Sequence, residues 1–223
     1  MDIDYAAARE NLLRAVRYEV HDERALGAMA RVPREHFVPP DLRPYAYEDR
    51  PLPIGHGQTI SQPLMVAMMT EALHLCGNER VLEVGTGSGY QAALLAELAA
   101  CVVTVERVPE LAEEACRRLR ELGYKNVEVH TAKDTLGWPE GAPYDAVLVT
   151  AGAPRVPRRL LQQLTIGGRL VIPVGERRVQ QLLRVAKTAR GTTVQRLGEC
   201  RFVPLVGRGA WSEADATPEY FTL

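Results

Sequence analysis

The sequence predicts an α/β fold with a doubly wound, mostly parallel sheet. Two observations carry this prediction: short apolar runs alternate with helical patterns from residue 80 onward, and a glycine-rich turn follows the first run. Strands that are apolar throughout are typical of a parallel sheet with helices on both faces. A chain of 223 residues is long enough to form one domain of this kind.

The chain before this sheet predicts an N-terminal addition that is partly helical and partly irregular. Residues 4–20 and 22–30 have amphipathic helical patterns, whereas the proline-rich residues 31–54 predict extended, irregular chain. An apolar helix is expected from residue 63 to about residue 75, with Pro63 in its first turn. The uncharged polar stretch GHGQTISQP, residues 55–63, leads into this helix.

Five strands alternate with helices in the next part of the chain. The strands are expected at 80–84, 101–106, 126–130, 144–150 and 167–175. The glycine turn and the first helix take up 85–100, and further helices are expected at 109–122 and 157–164. Antiparallel strands are expected to close the sheet at 180–188, 192–197 and 200–206. We therefore expect residues 1–223 to form a single domain with an N-terminal part that includes the polar loop (1–79), a ligand-binding core (80–175), and C-terminal strands and tail (176–223).

Composition and charge argue against several classes of protein. The net charge of -1 disfavours a protein held to nucleic acid by neutralising phosphates. The four cysteines form no CxxC pair, which favours reduced thiols over disulfides or a zinc site. No apolar run approaches the roughly 18 residues of a membrane span, and the acidic N-terminus lacks an apolar signal core. We expect a cytoplasmic protein without a metal, a nucleic acid partner or membrane association.

A glycine turn, Gly85-Thr86-Gly87-Ser88-Gly89, follows the first strand of the sheet. Glycines at such a turn let the main chain approach a ligand, although they could also serve strand-to-helix packing alone. The spacing G-x-G-x-G differs from the dinucleotide fingerprint G-x-G-x-x-G, because Tyr90 occupies the position that the last glycine would need. A ligand other than a dinucleotide is therefore favoured.

Two acidic residues lie beside this turn. Glu83, two residues before the first glycine, favours a ligand that carries positive charge. Glu106 ends the second strand, 21 residues after Gly85, where a carboxylate can accept hydrogen bonds from both hydroxyls of a ribose. Glu106 alone could be a surface acid, but its register with the glycine turn favours a ligand site.

The segments VLEVGTGSGY and VVTVERV resemble the first and second motifs of class I S-adenosylmethionine-dependent methyltransferases, which implies a Rossmann-like methyltransferase sheet. Over about residues 9–207 the chain more specifically resembles the protein-L-isoaspartate O-methyltransferase family. The segments that carry this resemblance are RVPREHFVP, YEDRPLPIGHGQTISQP, VLEVGTGSGYQAALLAEL, GWPEGAPYDAVLVTAGAP, GGRLVIPVG and RFVPLVG. Of these, GHGQTIS is specific to the family within the wider fold.

The resemblance implies methyl transfer from S-adenosylmethionine to the free α-carboxylate of L-isoaspartyl residues in damaged proteins and peptides, with S-adenosylhomocysteine as product. The ester then closes to a succinimide, whose hydrolysis returns some normal aspartate. By the resemblance, the cofactor-binding positions are Gln58, Thr59, Ile60, Ser61, Glu83, Gly85, Thr86, Gly87, Ser88, Gly89, Glu106, Arg107, Lys133 and Asp134. No metal is implied.

Ser61 matches the active-site serine of the family, and its hydroxyl is expected to donate a hydrogen bond to the substrate carboxylate. Its place just before Pro63 also allows a role as helix N-cap, and the two roles can coexist. A carboxylate is already ionised at pH 7 and needs no general base. We therefore interpret His56 as a residue that packs the loop and not as a base.

The chain departs from the family where an aspartate usually accepts a hydrogen bond from the adenine amino group. Ala132, Lys133 and Asp134 stand in place of Gly-Asp-Gly, and lysine has donors only. Either Asp134 takes the role, or the Lys133 stem covers the adenine face while main chain reads its edge. Residues 212–223 lie outside the resemblance and have no assigned role.

Two alternative functions remain open from the sequence. The first is a methyltransferase of RNA, DNA or a small molecule; the turn TAGAP and the absence of a Pro-Cys pair disfavour the base-modifying classes. The second is a methyltransferase-like binding module that has lost its cofactor, with Lys133 as the sign of that loss. The intact glycine turn and Glu106 disfavour this second alternative.

Overall fold

The computed structural model describes residues 3–216. Within this range the α-helices are α1 (Tyr5–Val16), α2 (Glu23–Arg31), α3 (Pro63–Ala72), α4 (Tyr90–Ala96), α5 (Pro109–Glu121) and α6 (Arg158–Gln162). The strands are β1 (Leu52–Gly55), β2 (Gln58–Ile60), β3 (Arg80–Val84), β4 (Cys101–Glu106), β5 (Val127–Thr131), β6 (Tyr144–Val149), β7 (Leu164–Gly175), β8 (Gln180–Thr188) and β9 (Gly191–Cys200). Short 3-10 helices occur at Arg34–Phe37, Pro40–Tyr45, Pro139–Gly141 and Glu213–Ala216.

Seven strands form one sheet in the order β5-β4-β3-β6-β7-β8-β9. The first five strands of this order are parallel, and β8 and β9 join antiparallel to β7. The chain runs outward from β3 to β4 and β5 and then returns to β6 on the other side of β3. The order of strands thus reverses between β3 and β6, and ligands of open α/β sheets bind at the carboxyl edge of such a point.

The sheet is covered on both faces by apolar side chains. Successive residues of β3 point to opposite faces, so that Val81 packs in one apolar cluster while Leu82 and Val84 pack in the other. The first cluster also receives residues from α1 to α4, and the second receives Leu160 of α6. This two-sided burial is the physical reason why the parallel strands are apolar throughout.

The fold class predicted from the sequence is confirmed, including the N-terminal addition and the antiparallel C-terminal strands. Two expectations were wrong. Residues 31–54 are not extended, irregular chain throughout, because they contain the 3-10 helices Arg34–Phe37 and Pro40–Tyr45 and most of β1, which pairs with β2 of the polar loop as an antiparallel hairpin. Residues 200–206 do not form a further strand; Pro204 makes only an isolated, parallel bridge to Gly152. The tail from residue 217 to 223 lies outside the described residues.

Among residues 3–216, no helix is both long and apolar enough to cross a membrane.

Candidate active site

A cavity of about 610 Å³ lies at the carboxyl edge of the sheet, where the strand order reverses. Its volume falls within the roughly 300–1,000 Å³ that small-molecule and cofactor sites occupy. The lining residues come from the ends of four parallel strands, from the hairpin and from the C-terminal segment. They include residues 58–61, 84–88, 105–108, 132–137, 150–151 and 203–208.

The glycine turn forms one wall of this cavity with its main chain. Gly85 has a φ of +102°, and a Cβ atom added there would lie 2.3 Å from Oγ1 of Thr150. The Thr150 hydroxyl donates to the carbonyl of Gly85 at 2.7 Å, which fixes the turn against the end of β6. Only glycine fits this position, because both the backbone conformation and the neighbouring side chain exclude any Cβ.

Gly89 has a different role from the other glycines of the turn. It does not belong to the cavity lining, and it is the N-cap residue of α4 with a φ of +89°. A Cβ atom there would lie 3.3 Å from Ala115 and 3.4 Å from Leu119, both on α5. The structure thus places Gly89, one of the predicted cofactor-binding residues, outside the cavity lining, where it lets two helices pack closely.

Glu106 is held rigidly at the end of β4. Its carboxylate accepts a hydrogen bond from the main-chain N–H of Gly87 at 2.8 Å and another from the N–H of Val108 at 3.0 Å. The residue is 7% exposed and lines the cavity. Each carboxylate oxygen has a further lone pair, so both can still accept hydrogen bonds from the hydroxyls of a ribose.

Glu83, which the sequence places among the cofactor-binding residues, lies behind the cavity lining and is not part of it. Its side chain is 0% exposed, and Oε1 has no hydrogen-bond partner among residues 3–216. The Thr104 hydroxyl donates to Oε2, and a 2.6 Å hydrogen bond joins the hydroxyls of Thr104 and Thr86. Glu83 therefore reaches the cavity only through these two threonines.

Burial raises the pKa of Glu83 to about 8; the hydrogen bond from Thr104 opposes this shift, and the nearby charge of Glu106 adds to it. The cost of desolvating a carboxylate is the physical cause. The pKa of Glu83 in the folded protein therefore lies well above the ordinary range of a glutamate.

Ser61 lies between β2 and α3 and lines the cavity next to residues 58–60. It is not the N-cap of α3. Gln62 occupies the N-cap position, and its side chain makes no capping hydrogen bond. In the first turn of the helix, the N–H of Leu64 donates to the carboxylate of Asp49 at 2.8 Å. The alternative interpretation of Ser61 as a helix cap is therefore wrong.

His56 is exposed in the turn of the hairpin, with a φ of +52°, and does not line the cavity. Its exposure contradicts the expected role in packing the loop. Because His56 lies outside the cavity lining, the structure agrees with the interpretation that this histidine is not a general base.

Lys133 and Asp134 both line the cavity, but the ammonium group of Lys133 is engaged elsewhere. Its Nζ lies 2.8 Å from Oε1 of Glu140 and 4.4 Å from the ring centroid of Trp138, neither of which lines the cavity. Trp138 in turn stacks on His130 with 4.0 Å between ring centroids. These contacts leave the side chain of Asp134 as the hydrogen-bond acceptor on this wall.

The C-terminal segment closes one side of the cavity, a feature that sequence reasoning missed. Arg107, at the end of β4, forms an ion pair of 3.1 Å with Glu213, and both residues line the cavity. Residues 203–208 lie on the same side. The segment RFVPLVG marked part of this wall in the sequence, whereas no local signal pointed to Glu213, which belongs to the stretch left unassigned.

No group of three or more histidine, cysteine, aspartate or glutamate side chains suited to a metal ion occurs in the described part of the chain.

The family model for protein-L-isoaspartate(D-aspartate) O-methyltransferase matches residues 7–210. A protein-L-isoaspartate O-methyltransferase 1 of Syntrophobacter fumaroxidans is 52% identical over 211 residues, which cover 94% of this chain and 99% of the relative. A protein-L-isoaspartate O-methyltransferase 2 of Marinobacter nauticus is 57% identical over 194 residues, 86% of this chain and 89% of the relative.

Two solved structures are also similar. One is a protein-L-isoaspartate O-methyltransferase with a TM-score of 0.80 and 32% identity, covering 91% of this chain and 67% of the other. The second, assigned to the same activity in Plasmodium falciparum, is in complex with S-adenosyl-L-homocysteine; its TM-score is 0.75 at 26% identity, covering 90% of this chain and 97% of the other.

Proposed function

This chain belongs to the protein-L-isoaspartate O-methyltransferase family, and we propose from the geometry of its cavity which residues carry the reaction. The protein is an S-adenosylmethionine-dependent methyltransferase that esterifies the free α-carboxylate of L-isoaspartyl residues and so starts their repair. One observation supports the assignment of roles above all others. The neutral residues 58–61 and the carboxylate of Glu106 line a single cavity at the switch point of the sheet.

The residues of this cavity fit S-adenosylmethionine, which supplies the methyl group on its positively charged sulfur. Gly85, Thr86, Gly87 and Ser88 present their main chain to the ligand. Glu106 offers two carboxylate oxygens, and the hydrogen bonds from the N–H groups of Gly87 and Val108 fix their positions. We assign the ribose hydroxyls to Glu106. Arg107 lies beside it and is tied to the C-terminal segment through Glu213.

We assign the adenine amino group to Asp134, because the ammonium of Lys133 is bound to Glu140 and Trp138. The Lys133 stem and the main chain of residues 132–137 then form the wall around the base. This arrangement replaces the family aspartate by its neighbour one position later.

Ser61 is the group that meets the substrate. Its neutral hydroxyl donates one hydrogen bond to an oxygen of the isoaspartyl carboxylate. This bond directs the other carboxylate oxygen toward the methyl group. Since the nucleophile is already ionised, alignment and removal of water are what the site must provide. Gln58, Thr59 and Ile60 form the hairpin strand that covers the cofactor without adding a competing charge.

The partners of the protein are, on this proposal, damaged proteins and peptides that contain isoaspartyl residues, with no dependence on nucleic acid or membranes. We also propose that it acts in the cytoplasm. The four cysteines, Cys76, Cys101, Cys116 and Cys200, are free, as is usual in a reducing compartment.

Methyl transfer to paired peptides tests this function directly. Two peptides that differ only in Asp or isoAsp at one position are incubated with the protein and methyl-labelled S-adenosylmethionine. Only the isoAsp peptide should become labelled, and the label should be released as methanol at alkaline pH, because it is held as an ester. Equal labelling of the two peptides, or alkali-stable label transferred to added RNA, would contradict the assignment.

A further inference from the structure

Arg34 is the largest side chain that the fold buries completely, with 0% exposure. It belongs to the 3-10 helix Arg34–Phe37, ahead of the hairpin. Its Nε donates to the carbonyl of Ala46 at 2.7 Å, and its Nη2 donates to the carbonyl of Ser61 at 2.8 Å. The guanidinium also lies over the ring of Tyr90, 4.9 Å from its centroid.

This cation is held mainly by uncharged groups, and the acid Asp49 acts on it without forming an ion pair. None of the ion pairs between residues 3 and 216 includes Arg34, and its Nη1 has no hydrogen-bond partner within that range. Burial lowers the pKa of Arg34, and Tyr90, Tyr47 and Asp49 oppose the shift. Burying a guanidinium that has no ion-pair partner costs free energy that an apolar side chain of the same volume would not cost. A role beyond stability is therefore expected.

The contact with Ser61 falls on the residue that meets the substrate. The main chain before Ser61 is fixed by the pairing of β2 with β1, and the chain after it is fixed by the bond from Leu64 N–H to Asp49. Arg34 holds the carbonyl between these two points. A fixed carbonyl fixes the peptide plane, and this sets the direction of the Ser61 Cα–Cβ bond.

Tyr90 links the same guanidinium to the cofactor wall. It is the first residue of α4, directly after the glycine turn, and its buried ring lines the cavity. Arg34 thus touches the substrate side of the cavity through Ser61 and the cofactor side through Tyr90, without lining the cavity itself.

We propose that Arg34 is a positioning residue: by holding the Ser61 carbonyl with a guanidinium that itself lies over the ring of Tyr90, it aims the Ser61 hydroxyl at the substrate carboxylate. The proposal rests on the function proposed above. Positioning errors of about 1 Å can cost up to about a hundredfold in rate, so a loss of this contact should appear in kcat.

The test combines Arg34→Lys with Ser61→Ala in a double-mutant cycle. Lysine keeps the charge but cannot bind the Ala46 and Ser61 carbonyls together in the same fork. Arg34→Lys should lower kcat on isoAsp peptide about tenfold in the wild-type background and less than about twofold when Ser61 is already alanine. The Kd for S-adenosylhomocysteine should change less than about threefold. Arg34→Met, which removes the charge at similar length, should show the same pattern.

Arg9→Lys is the matched control. Arg9 is also in the N-terminal layer and binds a main-chain carbonyl, that of Ala30 at 2.9 Å, but its hydrogen bonds go to Ala30, Tyr47 and Glu35 and not to Ser61. This exchange should lower the melting temperature and leave kcat unchanged. Equal losses of kcat for Arg34→Lys in both backgrounds, or an unchanged kcat, would overturn the proposal, since a merely structural role predicts no coupling to the Ser61 hydroxyl.

Hydrogen exchange separates this proposal from the proposed function. In Arg34→Lys, the main-chain amides of residues 61, 62 and 64–66 should exchange faster than in the wild type, while those of residues 85–89 should not. If the wild type fails to methylate the isoAsp peptide, the function is refuted, and the exchange pattern alone then decides whether Arg34 holds this segment. Unchanged exchange at residues 61–66 would refute the positioning role in either case.

Discussion

The carboxylate of Glu106 accepts a hydrogen bond of 2.8 Å from the main-chain N–H of Gly87. This bond joins the end of β4 to the middle of the glycine turn after β3. The other carboxylate oxygen of Glu106 accepts a hydrogen bond from the N–H of Val108. Both oxygens therefore bind main-chain donors, and each keeps a lone pair for a ligand in the cavity. The acid and the turn therefore act as one unit, and a change at Glu106 alters both.

Glu106→Gln should raise the Kd for S-adenosylmethionine by at least about tenfold. The amide loses the charge-assisted hydrogen bonds to ribose, worth roughly 1.5–3 kcal/mol each. Its NH₂ group would also oppose the N–H of Gly87 or Val108, donor against donor. Titration calorimetry measures the Kd. The control is Glu110→Gln, which removes an exposed charge in the first turn of α5 and should leave the Kd unchanged. Wild-type affinity in Glu106→Gln would remove this residue from the site.

Ser61→Ala should lower kcat on isoAsp peptide about tenfold and leave cofactor binding nearly unchanged. The change removes one hydrogen bond from a neutral hydroxyl to an ionised carboxylate, worth roughly 1.5–3 kcal/mol, which corresponds to about tenfold or more in rate. Because Ser61 is not the N-cap of α3, the loss of about 1 kcal/mol of stability that a missing cap causes should not appear. Ser61→Thr keeps the hydroxyl but crowds the carboxylate with a methyl group, so its kcat should also fall. Unchanged turnover in both variants would refute the catalytic assignment.

Asp134→Ala should raise the Kd for S-adenosylhomocysteine about tenfold, the effect of losing the one hydrogen bond that its side chain is proposed to accept. Lys133→Asp should change it less than about threefold, because the Lys133 ammonium is bound to Glu140 and Trp138 and not to the cavity. Tighter binding by Lys133→Asp would show instead that an acceptor is missing at position 133. Wild-type affinity in both variants would mean that main chain alone reads the adenine.

Glu83 should make the stability of the protein depend on pH. Burial raises the pKa of Glu83 from an ordinary value of 4.5 to about 8, so between these values the folded state binds a proton that the unfolded state has lost. The free energy of unfolding should therefore fall as pH rises through this window and level off above it. Glu83→Gln imitates the protonated form and should lack this component.

Urea unfolding of the wild type and Glu83→Gln at pH 5, 6.5 and 8 measures the effect of Glu83. The difference in unfolding free energy, wild type minus variant, should become smaller or more negative with rising pH. Parallel pH profiles would show that Glu83 is ionised in the folded protein.

The sequence by itself determined the regular part of the fold and half of the site. β3, β4 and β8 begin and end at the predicted residues, because an unbroken apolar run between turn residues is a local pattern. The glycine turn and Glu106 could also be predicted, since each directly follows a strand and parallel strands bring their carboxyl ends to one edge. The resemblance added Ser61 and the residues before it.

Only the tertiary structure decided which side chains face the cavity and what holds them. Gly89 and Glu83 belong to the same motif as Gly85, yet neither lines the cavity. Gly89 lies where α4 packs against α5, and Glu83 is buried behind Thr104 and Thr86. In the sequence, Arg34 is one charged residue in a proline-rich segment, 27 residues before Ser61. In the fold, its guanidinium donates a hydrogen bond to the carbonyl of Ser61. Contacts of this kind depend on how distant segments pack, and neither periodicity nor turn composition records them, because both describe only neighbours along the chain.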